Sequence, residues 1–168
     1  MAKDSARAAA IGDVDEANSA LGLALLHVTD EAQHRRLKAI QNELFDLGAD
    51  LATPGEDFTP SDMALRIVQP QIERLEREID AMNEALEPLR SFILPGGGAA
   101  AAPLHLARAI VRRAERSAVA ASRDVALNPL ALVYLNRLSD HLFVAARLAA
   151  KSEGGDLLWE PGATRGAD

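Results

Sequence analysis

The sequence predicts an all-α protein, a bundle of five helices with no sheet. Alanine and leucine recur along the chain, whereas aromatic residues make up only 4% of it. This composition favours helices and leaves little of the β-branched and aromatic material that strands use. Apolar residues recur at helical spacing in five stretches, and no useful length of chain alternates between apolar and polar residues. With 168 residues, the chain is long enough for one domain with its own core.

Composition and charge exclude several classes of protein. The chain has no cysteine, which excludes a disulfide framework, a thiolate zinc site and a cysteine nucleophile. The net charge is −7, which argues against a general nucleic-acid binder, although cations cluster between Arg108 and Arg116. The longest apolar run, residues 20–28, is far shorter than the roughly 20 residues of a membrane helix. We expect a cytoplasmic protein that binds neither nucleic acid nor membrane.

The first two helices are predicted over residues 5–27 and 30–51. The first carries a polar stripe on an otherwise apolar surface, formed by Asp15, Asn18, Ser19 and Gly22 at helical spacing. The second ends before the breaker Thr53-Pro54-Gly55. Its apolar face consists of Leu37, Ile40, Leu44, Leu47 and Leu51.

A third helix is predicted over residues 59–89. Thr59 and Pro60 resemble an N-cap followed by proline at the first helical position. Pro70 must then kink or split this helix, because proline removes a backbone donor from the helix interior. Its second half is amphipathic, with Ile72, Leu75, Ile79 and Met82 on the apolar face.

A glycine-rich loop precedes the fourth helix, predicted over residues 100–123. Pro95 is followed by Gly96, Gly97 and Gly98, and such a loop before a helix is either an anion site or a flexible connector. The helix itself places polar residues along one stripe: His105, Arg108, Arg112, Glu115 and Arg116.

Asn128 and Pro129 begin the fifth helix, predicted to residue 151. It sets Asn136, Ser139, Asp140 and Phe143 on one side. The domain is expected to cover residues 1–153, and residues 154–168 form a tail whose one large anchor is Trp159. We expect left-handed, ferritin-like packing in which helices one, four and five bring their polar stripes together at a subunit boundary.

The arginines of the fourth helix are the strongest candidates for ligand binding. Arg108 and Arg112 lie one turn apart on one face, an arrangement suited to phosphate oxygens. Periodicity alone favours a solvated face bridged to acidic helices. The polar stripes of the first and fifth helices favour a site instead, because such stripes on packing helices either meet each other or line a pocket.

Other chemistry is not supported by the sequence. Glu31 and His34 match the Glu-x-x-His element of di-iron bundles, but no second copy exists, so a surface pair is the better interpretation. There is no phosphate loop of the GxxxxGK[ST] type. The four histidines lack metal-ligand spacing, and no metal held by protein ligands alone is predicted.

Seven segments occur together in the order and spacing of one family. They are KDSAR at 3–7, GDVDEANS at 12–19, IQNELFDLGA at 40–49, FILPGG at 92–97, LHLAR at 104–108, RRAER at 112–116 and YLNRLSD at 134–140. On these segments the chain resembles the ATP:cob(I)alamin adenosyltransferases that are trimers of five-helix bundles, over about residues 3–150.

The resemblance implies transfer of the 5′-deoxyadenosyl group of ATP to the cobalt of cob(I)alamin, with release of triphosphate. It implies a catalytic set of Asp15, Arg108, Arg112 and Asn136, in which Arg108 pairs with Asp15 across a subunit boundary. Arg112 would engage the triphosphate. The ATP-binding set it implies is Lys3, Arg112, Arg113, Glu115, Arg116 and Asn136.

The resemblance also implies the ligands and partners. Asn136 would lie near the Mg²⁺ that ATP brings, and Phe92 would sit below the corrin and displace its lower axial base. Sites between the subunits of a homotrimer are expected, with a cob(II)alamin reductase and an adenosylcobalamin-dependent mutase as further partners. Cob(I)alamin is itself a strong nucleophile, so the reaction needs no general base. It needs orientation of the reactants, removal of water, and cations near the departing triphosphate.

The beginning of the chain departs from the family pattern. Members usually carry a stretch of the form TG-x-x-G-x-T over the ATP phosphates, whereas Met1 here directly precedes Ala2, Lys3 and Asp4. Either the stretch lies ahead of residue 1 in a longer natural protein or this member lacks it. The chain with this N-terminus is expected to bind cobalamin and to have poor affinity for ATP.

Two other classes compete with the enzyme. A non-catalytic cobalamin-binding or delivery protein would keep the bundle and the corrin pocket. A purely structural bundle would require the spacing of Arg108, Arg112, Asn136 and Asp140 to be coincidental.

Overall fold

The computed structural model describes residues 1–166 and confirms the all-α prediction. Its five helices are α1 (Ala6–Leu25), α2 (Glu31–Ala52), α3 (Gln69–Asn83), α4 (Ala101–Ala121) and α5 (Pro129–Lys151). Within the described residues there is no sheet, only two isolated antiparallel bridges, Ser61 with Ala64 and Ile93 with Leu158. None of the helices in this part of the chain has the length and apolar character needed to cross a membrane.

Side-chain caps begin three of the helices where the sequence places them. Ser5 accepts a hydrogen bond from the backbone N–H of Ala8, and Asp30 accepts one from Gln33. Asn128 accepts from the backbone N–H of Leu130, next to Pro129 in the first turn of α5. Each cap satisfies a backbone donor that has no partner within its helix, so these boundaries follow from local chemistry.

The third helix is shorter than predicted. It begins at Gln69 and ends at Asn83, so the prediction was wrong for the half before Pro70 and for the last residues up to 89. The amphipathic second half is confirmed, since Ile72, Leu75 and Met82 are buried. Pro70 does not kink a helix, because it lies in the first turn of α3, where its missing N–H would have no partner. The extended residue Val68 precedes the helix, and its backbone N–H is bound by the side chain of Gln71.

A buried polar cluster holds the chain between α2 and α3 in a non-helical path. Arg66 donates to the Asp50 carboxylate at 2.8 Å, and the backbone N–H of Ile67 donates to the same carboxylate at 2.7 Å. The Asn128 amide donates to Asp50 at 2.7 Å and to the Ile67 carbonyl at 3.1 Å. We call Asp50, Arg66, Ile67 and Asn128 the Asp50 corner. It explains the missing half of the predicted helix, because backbone bound to Asp50 cannot also make helical hydrogen bonds.

The order of packing places α4 at the centre of the bundle. It packs against both α1 and α5, while α2 covers α1 and α3 covers α5. Small residues allow the close approach of α1 to α4, since Ala10, Ala17, Ala107, Ala114 and Ala118 are all at most 1% exposed. The predicted apolar face of α2 is buried along its length. The polar stripe of α4 starts at the buried His105 and reaches the surface at Arg112 and Arg116.

Candidate active site

An open cavity of about 470 Å³ lies beside the first half of α4. The Arg108 guanidinium stands 5.4 Å from the centre of the Phe143 ring, and His105 meets the same ring edge-on at 6.4 Å. Phe92 is 76% exposed at the rim of this cavity, although it is a large apolar side chain. We call this space the Phe92 cavity; its lining residues are Leu89, Ser91, Phe92, Ile93, Pro95, His105, Arg108 and Phe143.

The cavity combines an apolar wall with one cation and one neutral imidazole. Burial lowers the pKa of His105, and the neighbouring Arg108 lowers it further. Burial and the charge of Arg112 lower the pKa of Arg108, which remains protonated because its ordinary value is far above neutrality. A flat apolar ligand with polar edges fits such a wall, since aromatic rings and a guanidinium both offer planar faces.

The position of Phe92 is set by the tail of the chain, residues 154–166. The Phe92 and Trp159 rings lie 5.8 Å apart at a tilted angle. The backbone N–H of Trp159 donates to the Phe92 carbonyl at 2.8 Å, and Leu94 donates to the Leu157 carbonyl at 2.7 Å. The tail and the loop before α4 therefore pair as short extended segments.

Neighbouring arginines of α4 have different surroundings. Arg108, Arg112 and Arg116 follow one another by one turn, as the sequence predicts, and the last two are exposed. Within residues 1–166, neither Arg112 nor Arg116 has an ion-pair partner. Arg113 points to α1 instead, where it pairs with Asp13 at 2.9 Å and with Glu16. The predicted phosphate-binding stripe thus keeps two available cations, whereas Arg113 connects α1 to α4.

Asn136 lies in a polar cluster between α4 and α5. Its side-chain amide nitrogen donates to Glu115 at 3.1 Å, and its amide oxygen accepts from Arg137 at 2.6 Å. Arg137 also pairs with Asp140 at 2.7 Å. The structure therefore brings Glu115, from the predicted stripe of the fourth helix, together with Asn136 and Asp140, from that of the fifth.

Asp15 lies apart from Arg108 within this chain. It is exposed on α1 and faces a second cavity, of about 390 Å³, between α1 and α2. The lining of that cavity is polar except for Phe45, which is 74% exposed; it consists of Asp15, Asn18, Ser19, Lys38, Gln41, Asn42 and Phe45. Lys3 is exposed ahead of α1. A single chain therefore brings neither Asp15 nor Lys3 into the Phe92 cavity.

The glycine-rich loop lies against a carboxylate of the same chain, that of Glu153. Glu153 accepts hydrogen bonds from the backbone N–H groups of Ala100, at 3.1 Å, and Ala101, at 3.4 Å. A β-carbon on Gly98 would collide with the Glu153 side chain, and Gly98 has a φ of 159°. The N-terminus of α4 is thus capped from the end of α5, and the glycine is needed for the close approach of the carboxylate.

Several of these residues lay outside the site predicted from sequence. His105 and Phe143 stood on the predicted stripes, but their contact with Arg108 depends on how α4 faces α5. Trp159 was expected to anchor the tail without a link to Phe92. Within residues 1–166, no group of three or more histidine, aspartate or glutamate side chains could hold a metal ion.

Comparisons with known proteins identify the family. A family model described as cobalamin adenosyltransferase matches residues 1–149. The corrinoid adenosyltransferase of Mycobacterium tuberculosis is 49% identical over 170 residues, covering 99% of this chain and 86% of the relative. That of Bacillus subtilis is 42% identical over 165 residues, covering 94% and 82%.

A solved structure extends the similarity to the whole fold. It is a variant of the PduO-type ATP:corrinoid adenosyltransferase from Lactobacillus reuteri complexed with cobalamin and ATP. The TM-score is 0.84 with 39% sequence identity, and the match covers 95% of this chain and 89% of that chain.

Proposed function

The chain belongs to the cobalamin adenosyltransferase family and transfers the 5′-deoxyadenosyl group of ATP to cob(I)alamin, and we propose that the corrin occupies the Phe92 cavity. The single observation that carries this assignment is an exposed phenylalanine facing a guanidinium and a second aromatic ring across one open cavity. An exposed aromatic side chain in such a place is available to contact the lower face of a planar ring.

The chemistry is a displacement at the 5′ carbon of ATP. The cobalt electron pair forms the Co–C bond, and the C5′–O5′ electron pair leaves with triphosphate. No proton has to be removed from the nucleophile, so the residues act by orientation and charge.

Arg112 and Arg116 receive the departing triphosphate in this proposal. Both are exposed cations one turn apart. Arg112 lies one turn and Arg116 two turns along α4 from Arg108, whose side chain lines the Phe92 cavity. Negative charge grows on the leaving oxygen, and a prepositioned guanidinium stabilises it. Arg113 has an indirect role in this arrangement, since Asp13 and Glu16 hold it against α1.

Asn136 contributes near the phosphates and the Mg²⁺ that ATP carries. Its amide is already oriented by Glu115 and Arg137, which supports a defined direction for its oxygen. Lys3 supplies a further cation from the N-terminal end of the chain. An amide and carboxylate set of this kind suits a cation that arrives with its own phosphate ligands.

The complete site is proposed to form between the subunits of a homotrimer. Asp15 and Arg108 line different cavities of one chain. A neighbouring copy that places its α1 surface over the Phe92 cavity would pair the two charges and close the cavity. We further propose a cytoplasmic location, a reductase that supplies the reduced corrin, and a mutase that accepts the product.

One experiment separates the enzyme from a cobalamin-binding or delivery protein with the same bundle. ATP is added to the protein with chemically reduced cobalamin, and formation of the alkylcobalt product is followed by its visible spectrum. The enzyme forms the product and triphosphate in equal amounts. Cobalamin binding without product, under conditions where an active relative turns over, would contradict the proposed site.

A further inference from the structure

The loop that carries Phe92 is held by a charged side chain of α5 and by the tail of the chain. After α3 ends, residues 87–95 run without helical hydrogen bonds, and we call them the Phe92 segment. In the described part of the chain, the hydrogen bonds of this segment go to two places, Arg147 and the tail. The position of the Phe92 segment therefore depends on contacts with Arg147 and the tail.

Arg147 connects the segment, the tail and α5. Its Nη2 donates to the Glu87 carbonyl at 2.7 Å, and its Nε donates to the Asp156 carboxylate at 3.0 Å. The Arg147 side chain is 10% exposed and that of Asp156 is 16% exposed. One turn later, Lys151 donates to the Ala85 carbonyl at 2.6 Å. Two cations in the last turns of α5 thus bind backbone carbonyls of the chain that connects α3 to Phe92.

The tail completes this connection on the other side of Phe92. Asp156, bound to Arg147, is followed by Leu157 and Trp159, which pair with the backbone of Leu94 and Phe92. The Ser91 hydroxyl donates to the Trp159 carbonyl at 2.8 Å. Because Arg147 holds Glu87 and Asp156 together, it sets the spacing between the two paired segments.

We propose that Arg147 is a positioning residue for the transfer reaction. It fixes the height of Phe92 beneath the corrin and does not itself contact the corrin. The inference rests on the proposed function of Phe92. An aromatic ring that must displace a cobalt ligand needs a position defined to a fraction of an ångström, and a loose loop cannot supply this. A planar guanidinium with two fixed donors suits the task better than a single flexible cation.

The test compares four variants for bound cob(II)alamin with ATP, using the visible spectrum that distinguishes a coordinated from a displaced lower base. Arg147→Met is expected to lose most of the displaced form and to lower kcat about 10- to 100-fold. Its Kd for cob(II)alamin should change by less than roughly threefold, because no corrin contact is removed. Arg147→Lys keeps one donor and should recover part of both signals.

Arg66→Met is the matched control. It also removes a buried arginine from an ion pair with an aspartate, since Arg66 and Asp50 are 2 and 1% exposed at a separation of 2.8 Å. It acts near Asn128, which precedes Arg147 by 19 residues, about 28 Å along α5. This variant should lose stability and keep the displaced form. Equal loss of the displaced form in Arg66→Met and Arg147→Met would overturn the proposal.

Phe92→Ala separates the two levels of the inference. If Phe92→Ala keeps the displaced form and normal turnover, the proposed function of Phe92 fails. If Phe92→Ala loses them and folded Arg147→Met does not, the positioning role of Arg147 fails. Should Arg147→Met not fold, Asp156→Asn weakens the same connection while preserving volume. A normal displaced fraction in that variant would also count against the proposal.

Discussion

Two polar regions of this molecule use arginine in opposite ways. In the Asp50 corner, Arg66 is buried and its carboxylate partner also accepts from Ile67 and Asn128. Around the Phe92 cavity, Arg108 faces an aromatic ring, and Arg112 is exposed without an ion-pair partner in residues 1–166. A buried carboxylate that accepts from three neighbouring groups indicates a structural role, because its oxygens have little capacity left for a ligand. Cations without a partner beside an exposed aromatic ring indicate a binding role.

The largest expected effect concerns the Asp50 corner. Asp50→Ala removes an acceptor from Arg66, Ile67 and Asn128 at once and leaves a buried cation unpaired. We expect a loss of about 3–5 kcal/mol in the free energy of unfolding, measured by urea denaturation. Folded protein at low urea should retain its ability to bind cobalamin. A loss below about 1 kcal/mol would show that the corner does not stabilise the loop.

Arg112→Ala should have the opposite profile. It removes an exposed side chain, so the free energy of unfolding should change by no more than about 0.5 kcal/mol. Turnover should fall by about 100- to 1,000-fold, the loss typical of removing one preorganised donor to a developing anion. Arg123→Ala, an exposed arginine just after α4, is the matched control. Near-normal kcat in Arg112→Ala would exclude the assigned role.

Coupling between Asp15 and Arg108 tests whether the Phe92 cavity is completed by a neighbouring subunit. A double-mutant cycle of assembly, followed by sedimentation, should give an interaction energy of about 0.5–3 kcal/mol if the two side chains meet. Exchange of the charges, Asp15→Arg with Arg108→Asp, should recover some assembly. Strict additivity, or a parent protein that remains a monomer at micromolar concentration, would contradict the shared boundary.

Glu153→Ala tests whether the glycine-rich loop is structural. The carboxylate caps the first backbone N–H groups of α4, and removal of a helix cap costs about 1 kcal/mol. The melting temperature should therefore fall, while ATP affinity remains that of the parent. Glu153→Gln keeps oxygen for one hydrogen bond and should lose less. A clear change in the Kd for ATP in Glu153→Ala would show that the glycine-rich loop belongs to the phosphate-binding site.

The smallest effect is the pH dependence due to His105. Burial and Arg108 lower its pKa in the folded state below the ordinary value near 6.5. At pH values between the folded and unfolded pKa, the unfolded state therefore binds more protons than the folded state. Its contribution to stability is present above about pH 6.5 and is lost as the pH falls through the folded pKa. The slope should stay below about 1.4 kcal/mol per pH unit, and His105→Asn should flatten it. An unchanged slope would mean that His105 titrates normally.

Local chemistry explains why most helix boundaries were predictable. Ser5, Asp30 and Asn128 act within one turn of the chain, so their effect is contained in the sequence itself. The prediction failed for the first half of the third helix because the Asp50 carboxylate, 17 residues before Ile67, binds the Ile67 backbone N–H. No short window of sequence contains both partners of such a bond.

The sequence by itself determined the helical class, four of the five helices and the stripe of Arg108, Arg112 and Arg116, because periodicity and capping are local. Only the tertiary structure decided that Arg113 turns to Asp13 and Glu16 while Arg112 stays exposed. It also decided that the tail pairs with the loop of Phe92. Neighbouring side chains on a helix differ by about 100° in direction, so their partners depend on which helix packs on which side.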